Sequence, residues 1–535
     1  MKPWSLLVLI CATPAMAGLV PGEVMVLAAE EPQESAMLAQ RYKELRGLAA
    51  EHVCLLPGPY PEVLSLDAYN EAFWPRVAEC LAGRTIGAIV TTKGLPVRVG
   101  GYSLEALLAV GDSTGASGRL REQPQQRRGW LANPFYRRSP YDGLPPFRRG
   151  QLPQGFRPGD GEAHGLDFRL TSRLDGFTYA QAEGLIHRSI ESDGAGVDGD
   201  WLCMAGRDPA RGVRDQECFE MLDLIEELAW ASTQRLDHDP QLSGHRLAGY
   251  FTGSAALRDA IAGNTYPPGA IADNITSLMG VPGNFGTGQR CDDSIDCDEE
   301  AGERCVETVC LREAQTSVAR FIASGITGVH ATAAEPYNNS FPSSLMMALY
   351  LQGYSFAESV FFSLPFLGWV NVVYGDPLAA PYARPVPLRM AAELRLTEGS
   401  PLRLEFEQVE GWRVAQVEVF YDGERLLDEH FSRLDTDPLL VWDPQLGVGD
   451  HLLLFRLRSE PVGQALGPSF STGMLWPEPR VMSQQNLTLR VNPPPADAGM
   501  APGEPTSAGG CSCRSVGTIG WTWILLLFGF RRRRS

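Results

Sequence analysis

Val24-Met25-Val26-Leu27-Ala28-Ala29 is six consecutive apolar residues, and its reading decides the fold class. A strand with one wet face alternates apolar and polar residues. One that is apolar throughout needs cover on both faces, as in a parallel sheet flanked by helices. Working outward, Leu38, Tyr42 and Leu45 follow at i, i+4 and i+7 and define one helical face, with Gly47 as its stop. His52-Val53-Cys54-Leu55-Leu56 reads as a second strand, Ala68 to Leu81 as a second helix and Ile86 to Thr91 as a third strand. This βαβαβ start, with right-handed crossovers, predicts an α/β fold with a doubly wound, mostly parallel sheet.

The stretch from Gly111 to Asp160 interrupts the alternation with nine arginines between Arg119 and Arg157, many Pro and Gly, and little periodicity. Its two readings are a substrate-facing loop and a solvated surface insertion, the second favoured. Strands are expected again at Phe168-Arg169-Leu170, Trp201 to Met204, Leu247 to Phe251 and Gly328 to Thr332. Helices are expected over Tyr179–Ile190, Phe219–Thr233, Ser317–Ile322 and Leu345–Leu351. The α/β domain is placed at 18–384. From 385 to 492 short strands alternate (Val417, Val419 and Tyr421; Leu452 to Leu457), and Asp422-Gly423 signals a tight turn, which predicts an immunoglobulin-like β-sandwich.

The chain has 535 residues, 44% of them apolar, and a net charge of −18. It is too apolar for disorder and too acidic to neutralise phosphates, so no nucleic-acid partner is expected. At the N-terminus, Lys2, the run Leu6 to Ile10 and Ala15-Met16-Ala17 read as a signal peptide spanning 1–17. At the other end, a Pro/Gly-rich linker (493–510) leads to Gly510-Cys511-Ser512-Cys513, an apolar run over 516–530 and Arg531 to Arg534. The run reads as a short transmembrane helix held by the arginines. The tail (511–535) resembles the myxobacterial C-terminal sorting signal, a Gly-Cys motif followed by a helix and an Arg cluster. That resemblance implies a sorting protease as partner, transient anchoring through 516–530, and a final place at the cell surface or outside the cell, among envelope components.

Eight cysteines lie between these ends, an even number that suits disulfides in an exported chain. Cys291, Cys297, Cys305 and Cys310 crowd together as a disulfide knot in an insert over 286–312. Cys54 with Cys80, and Cys203 with Cys218, are candidate pairs; spacing does not fix connectivity, and buried thiols are the competing reading for those four. Asp292, Ser294, Asp296, Asp298, Glu300 and Glu303 occupy the oxygen-ligand positions of a calcium loop. Cys297 stands where that loop needs its turn glycine, so a solvated acidic knot is favoured and no cofactor is expected apart from this candidate calcium.

Six segments carry a wider resemblance: Thr92-Lys93-Gly94-Leu95-Pro96, Ser172-Arg173-Leu174-Asp175-Gly176, Pro268-Gly269-Ala270-Ile271-Ala272, Ala334-Glu335-Pro336-Tyr337, Gln352 to Ser359 and Tyr374-Gly375-Asp376-Pro377. Through them the chain resembles an uncharacterised family of exported bacterial proteins and, more distantly, the gingipain-type peptidases of the caspase-like fold. That resemblance implies a Cys-His dyad at the ends of adjacent strands. Here the strand ending at Phe251 delivers Thr252-Gly253-Ser254, and the strand from Gly328 delivers Ala333-Ala334, so the dyad is expected to be missing and enzyme status is left open. Gly111-Asp112-Ser113-Thr114-Gly115 has the spacing of a nucleophile elbow but lacks the strand before it.

The remaining expectation is a cleft beyond the carboxyl ends of the strands. That rule gathers Lys93, Ser254 and Glu335 on one rim, with Arg173 and Asp175 near. Lys93 and Glu335 then read as a ligand-binding or acid/base pair, or as a salt bridge. A non-peptidase binding or scaffolding protein is the leading functional expectation. A hydrolase centred on Ser254 or Glu335 is the alternative.

Overall fold

The computed structural model describes residues 19, 21–111, 131–133, 135–136, 168–227, 230–281, 290–298, 303–306, 309–311, 315–383, 388–389, 393–406, 412–421, 424–431, 439–461 and 481–494. The signal segment, the sorting tail, most of the linker, part of the insert including Glu300, and Asp112 to Gly115 lie outside the described residues.

Ten strands form one sheet: β1 (Val24–Ala29), β2 (Val53–Leu56), β3 (Ala88–Thr92), β4 (Leu170–Leu174), β5 (Asp200–Met204), β6 (Thr233–Leu236), β7 (Leu247–Thr252), β8 (Ile271–Asn274), β9 (Gly328–Thr332) and β10 (Asn371–Gly375). Their spatial order is β6-β5-β7-β8-β9-β10-β4-β3-β1-β2. The apolar β1 is buried along its whole length. Val24, Val26 and Ala28 join one apolar cluster, while Met25, Leu27 and Ala29 join a second on the opposite face. The strand is apolar throughout because both of its faces are core. Helices α1 (Gln33–Arg46), α2 (Trp74–Leu81), α3 (Leu104–Ala109), α4 (Tyr179–Ser192), α5 (Asp215–Glu227), α6 (Val318–Ala323), α7 (Leu345–Leu351) and α8 (Phe356–Ser363) connect and cover the strands.

The sheet consists of two doubly wound halves running in opposite directions. In the first, β2-β1-β3-β4-β10 are mutually parallel. In the second, β6-β5-β7-β8-β9 are mutually parallel. The halves meet where β9 and β10 pair antiparallel, from Gly328↔Gly375 to Thr332↔Asn371. Each half starts with its second strand outside the first and its third on the first strand's other side. Each therefore has its own switch point, between β1 and β3 and between β5 and β7.

Three strands differ from the sequence reading. Thr233, expected as the last residue of a helix, instead opens the edge strand β6, and α5 already stops at Glu227. β8 and β10 carry no strand expectation. β8 escapes notice because half of it, Asp273 and Asn274, is polar yet fully buried. Within the Arg-rich stretch the arginines lie outside the described residues, and the short described piece around residue 133 is held to the domain. Leu131–Ala132 pairs with Phe366–Leu367, Asn133 donates to the carbonyls of Phe361 (2.6 Å) and Leu364 (2.8 Å), and buried Phe135 stacks on Phe168.

Eight strands follow: β11 (Leu388–Arg389), β12 (Glu393–Thr397), β13 (Leu402–Phe406), β14 (Trp412–Tyr421), β15 (Glu424–His430), β16 (Leu439–Trp442), β17 (Gly449–Pro461) and β18 (Val481–Asn492). They make a three-stranded sheet, β11-β13-β16, and a five-stranded sheet, β12-β18-β17-β14-β15. Leu402, Leu404 and Leu440 of the first share one core with Val417, Val419, Phe455 and Leu489 of the second. The strands flanking Asp422-Gly423 pair up to Tyr421↔Glu424, and Asp422 and Gly423 themselves lie outside the described residues.

Among the described residues four disulfides form: Cys54–Cys80, Cys203–Cys218, Cys291–Cys305 and Cys297–Cys310. The first ties β2 to α2 and the second ties β5 to α5; the other two close the knot.

Candidate functional site

The reversal between the halves separates the residues that the carboxyl-end rule was expected to gather. Lys93 follows β3 in the first half, whereas Ser254 and Glu335 follow β7 and β9 in the second, so they lie on opposite edges of the sheet. Lys93 and Glu335 are not a pair. The expectation failed because it assumed that all strands point one way.

On the first edge, Lys93, Arg173 and Asp175 do come together. Lys93 Nζ donates to Asp175 Oδ1 (3.1 Å) and to the carbonyl of Gly176 (2.8 Å). Arg173, 1% exposed on β4, donates to Asp175 Oδ2 (2.8 Å), Glu105 Oε1 (3.1 Å) and the carbonyls of Leu95 and Pro96. Burial pushes Asp175 up, but Lys93 and Arg173 outweigh it and hold the carboxyl below its ordinary range. Burial wins at Glu105, which is raised despite Arg173 and Thr91. The first switch point is filled: Ser35 Oγ meets Thr92 Oγ1 at 2.8 Å and accepts from the Ala29 amide. This cluster pins the Thr92–Pro96 loop to β4.

Asp376, in the Tyr374-Gly375-Asp376-Pro377 segment, has an anchoring role as well. It is fully buried and accepts from Tyr42 Oη (2.8 Å) and Arg46 Nε (2.5 Å), which fastens the end of β10 to α1.

The second edge differs. Ser254 is 1% exposed, its amide donates to Asn274 Oδ1 (2.7 Å), and Asn274 Nδ2 returns a bond to its carbonyl (2.8 Å). Its Oγ accepts from the Ala256 amide at 3.4 Å, so the serine braces a turn. The neighbour of β7 is β8, not the strand from Gly328, and β8 ends at Asn274. Glu335 is exposed and accepts from Ser277 Oγ (2.9 Å). His330 is fully buried in β9, with Nδ1 3.0 Å from Asp273 Oδ1 and Nε2 3.0 Å from Asn371 Oδ1. Asp273 Oδ2 accepts from Arg214 Nη1, which also donates to the carbonyl of Pro342 (2.8 Å). Burial favours the neutral acid at Asp273, yet Arg214 and His330 together hold it below the ordinary carboxylate range.

Above this network, at the switch point between β5 and β7, lies a hollow lined by Met204, Phe251, Thr252, Ile275, Arg211, Arg214, Asp215 and the Cys203–Cys218 disulfide. It is shallow and partly open to solvent, with enclosed room for about one water molecule, far short of a pocket for a whole small molecule. The loop from Gly206 to Arg214 forms its wall. A Cβ on Gly253 would lie 2.0 Å from the Arg211 carbonyl oxygen, which explains the glycine there. Asp215 closes the loop by accepting from the Gly206 amide (2.8 Å), and burial raises its carboxyl above the usual range. Arg211 is held by Asp208 Oδ2 (2.7 Å). None of these wall residues was singled out from sequence, although two arginines spaced by three before a helix offered a signal.

In the disulfide knot, Asp296 Oδ2 accepts from the amides of Asp292 (2.8 Å) and Asp293 (3.2 Å), and Glu303 Oε2 accepts from the Asp298 amide (3.2 Å). Among the described residues, the one convergent group of ligand-type atoms is Cys291, Cys297 and Cys310, whose sulfurs are all in disulfides. The described carboxylates of the candidate calcium loop are not part of that group, and Glu300 lies outside the described residues.

No protein-family model matches the chain, and no curated protein matches it. A solved structure described as "Structure of Protease" is similar at a TM-score of 0.37 and 10% identity, covering 88% of this chain and 98% of its own. No described helix is long and apolar enough to cross a membrane, and 516–530 lies outside the described residues.

Proposed function

We propose that this is an exported, cell-surface protein that binds a ligand at the second edge of a caspase-like α/β sheet and carries no peptidase chemistry. The observation that carries the reading is the state of the groups a hydrolase would need. Ser254 braces a turn with Asn274, His330 has both ring nitrogens engaged inside the sheet, and the eight cysteines of the folded part are cross-linked. A nucleophile must be free to reach a substrate, and a base must be free to take its proton. Four disulfides favour an oxidising compartment. In this reading the two-sheet C-terminal unit is an immunoglobulin-like spacer, residues 1–17 are a signal peptide, and a sorting protease processes 511–535 after membrane passage of 516–530. Envelope components are the partners.

One observation favours a second reading, a hydrolase: the exposed Ser277–Glu335 pair on the same edge places a hydroxyl 2.9 Å from a carboxylate. Purified protein assayed on ester, peptide and glycoside panels separates the two. The binding reading expects no turnover. Turnover abolished by Glu335→Gln or Ser277→Ala would overturn it.

A further inference from the structure

The antiparallel junction in the middle of the sheet sets the exit of β9 beside the entry of β10, with Thr332 opposite Asn371. The loops that leave β9 and enter β10 therefore rise side by side on the second edge, and each brings an aromatic side chain to the rim. Tyr337, after β9, is 42% exposed. Trp369, before β10, is partly exposed. Their ring centroids are 5.2 Å apart and the planes are inclined at 48°, so the rings make a corner rather than a stack.

The backbone under this corner is strained. Trp369 has φ 67°, directly after Gly368 at φ 90°. A bulky residue rarely takes that conformation, and where one does the surroundings must impose it. Here the Trp369 carbonyl accepts from the Ser103 amide (2.7 Å), the Val370 carbonyl from the Ala333 amide (2.8 Å) and the Asn371 carbonyl from Ser103 Oγ (2.7 Å). Glycine would meet the same backbone without strain. The chain places a tryptophan there instead, against Tyr337. Strain retained beneath a partly exposed ring directs attention to what the ring does.

We infer that this corner is the ligand site of the second edge and that it takes a quaternary ammonium group. The inference rests on the binding reading above and names its ligand class. Aromatic faces attract a cation held within about 6 Å of the ring centroid. Glu335, exposed two residues before Tyr337, adds a carboxylate to the same loop. An ammonium or guanidinium group carries several N–H donors, each needing an acceptor once water is shed. The corner offers two rings and one carboxylate, of which Oε1 already accepts from Ser277 Oγ. A trimethylammonium group has no donors to satisfy, so the corner suits it better than either.

The test is a saturation-transfer NMR titration of the purified full chain with choline, using 3,3-dimethylbutan-1-ol as the uncharged match of the same shape. Binding at a single site is expected, with the alcohol about tenfold weaker and Nα-acetyl-lysinamide weaker than choline. Tyr337→Phe should bind as the wild type does, because the ring and not the hydroxyl acts, whereas Tyr337→Leu should weaken choline severalfold. Trp369→Gly should abolish binding with a urea midpoint no lower than that of the wild type, because the strain goes with the ring. Phosphocholine and glycine betaine arms tell a headgroup from a free solute as the source, the tighter one naming it. Absence of choline binding, equal binding of the alcohol, tighter binding of the lysine derivative, or choline binding unaffected by Tyr337→Leu and Trp369→Gly would overturn the inference. A large fall in the Trp369→Gly midpoint would also overturn it, marking the tryptophan as a packing residue. Turnover on the enzyme panel together with intact choline binding would instead sink the binding reading and spare this site.

Discussion

Asp273 is the most exacting point in the second half of the sheet, and Asp273→Asn isolates its charge. The carboxylate is fully buried, bonded on one oxygen to Arg214 and on the other to His330. Asparagine keeps the shape and an acceptor for the ring but leaves the Arg214 guanidinium, 8% exposed, without its counter-ion. Breaking one side of a buried pair costs about 3–5 kcal/mol, because the remaining charge stays desolvated. At an m-value of about 3 kcal/mol/M in urea, the midpoint of the α/β unfolding transition falls by roughly 1–2 M. The double variant Asp273→Leu with Arg214→Met removes both charges. It is expected to recover most of the loss, since apolar replacement of a whole buried pair is often neutral. Urea denaturation followed by tryptophan fluorescence reads both. A single variant costing under about 1 kcal/mol, or a double variant no better than the single one, would refute the claim that compensation of the Arg214 charge holds this region together.

Other expectations follow from the same geometry. Asp175 and Asp273 have folded pKa values below the unfolded one, so their stabilisation is complete above about pH 4 and is lost as pH falls through the folded values. Glu105 and Asp193, raised by burial, act with the opposite sign and cost stability as pH climbs past the unfolded value. Urea midpoints between pH 2 and 6 should therefore decline on the acid side, less steeply in Asp273→Asn; an identical slope would contradict the assignment. Replacing Cys203 and Cys218 by serine opens a crosslink spanning 15 residues and should cost about 3 kcal/mol, read by denaturation under non-reducing conditions. Gly253→Ala drives a Cβ into the Arg211 carbonyl and should cost about 1–3 kcal/mol while displacing the loop that walls the hollow. Wild-type stability in that variant would show that the loop yields freely.

Much of the first half is legible in sequence, because β1 is apolar throughout, β3 opens with an apolar run, both are buried along their length, and Gly47 ends α1 in a left-handed turn (φ 63°). The second half is harder. β8 hides because Asp273 and Asn274 give it the look of a loop, and β6 because an edge strand with half-exposed residues has no apolar run. Strand direction is harder still: alternation reports which face is buried but not which way the chain runs. That is why Lys93 and Glu335, each correctly placed after a strand, end on opposite edges. Lys93, Arg173 and Asp175 do come together because they sit at the carboxyl ends of neighbouring parallel strands. The hollow was missed because its lining depends on which of several Gly-rich loops folds over β7.

The strand that completes the first half is the last of the ten-stranded sheet to leave the ribosome. β4 borders β10, yet about two hundred residues, an entire second winding, separate Leu174 from Asn371. Until the later segment arrives, a nascent chain holds a finished β2-β1-β3-β4 ribbon with one flank of amides and carbonyls open to any passing extended peptide. Synthesis stalled or clipped anywhere before residue 371 thus yields a sticky fragment rather than a smaller working module.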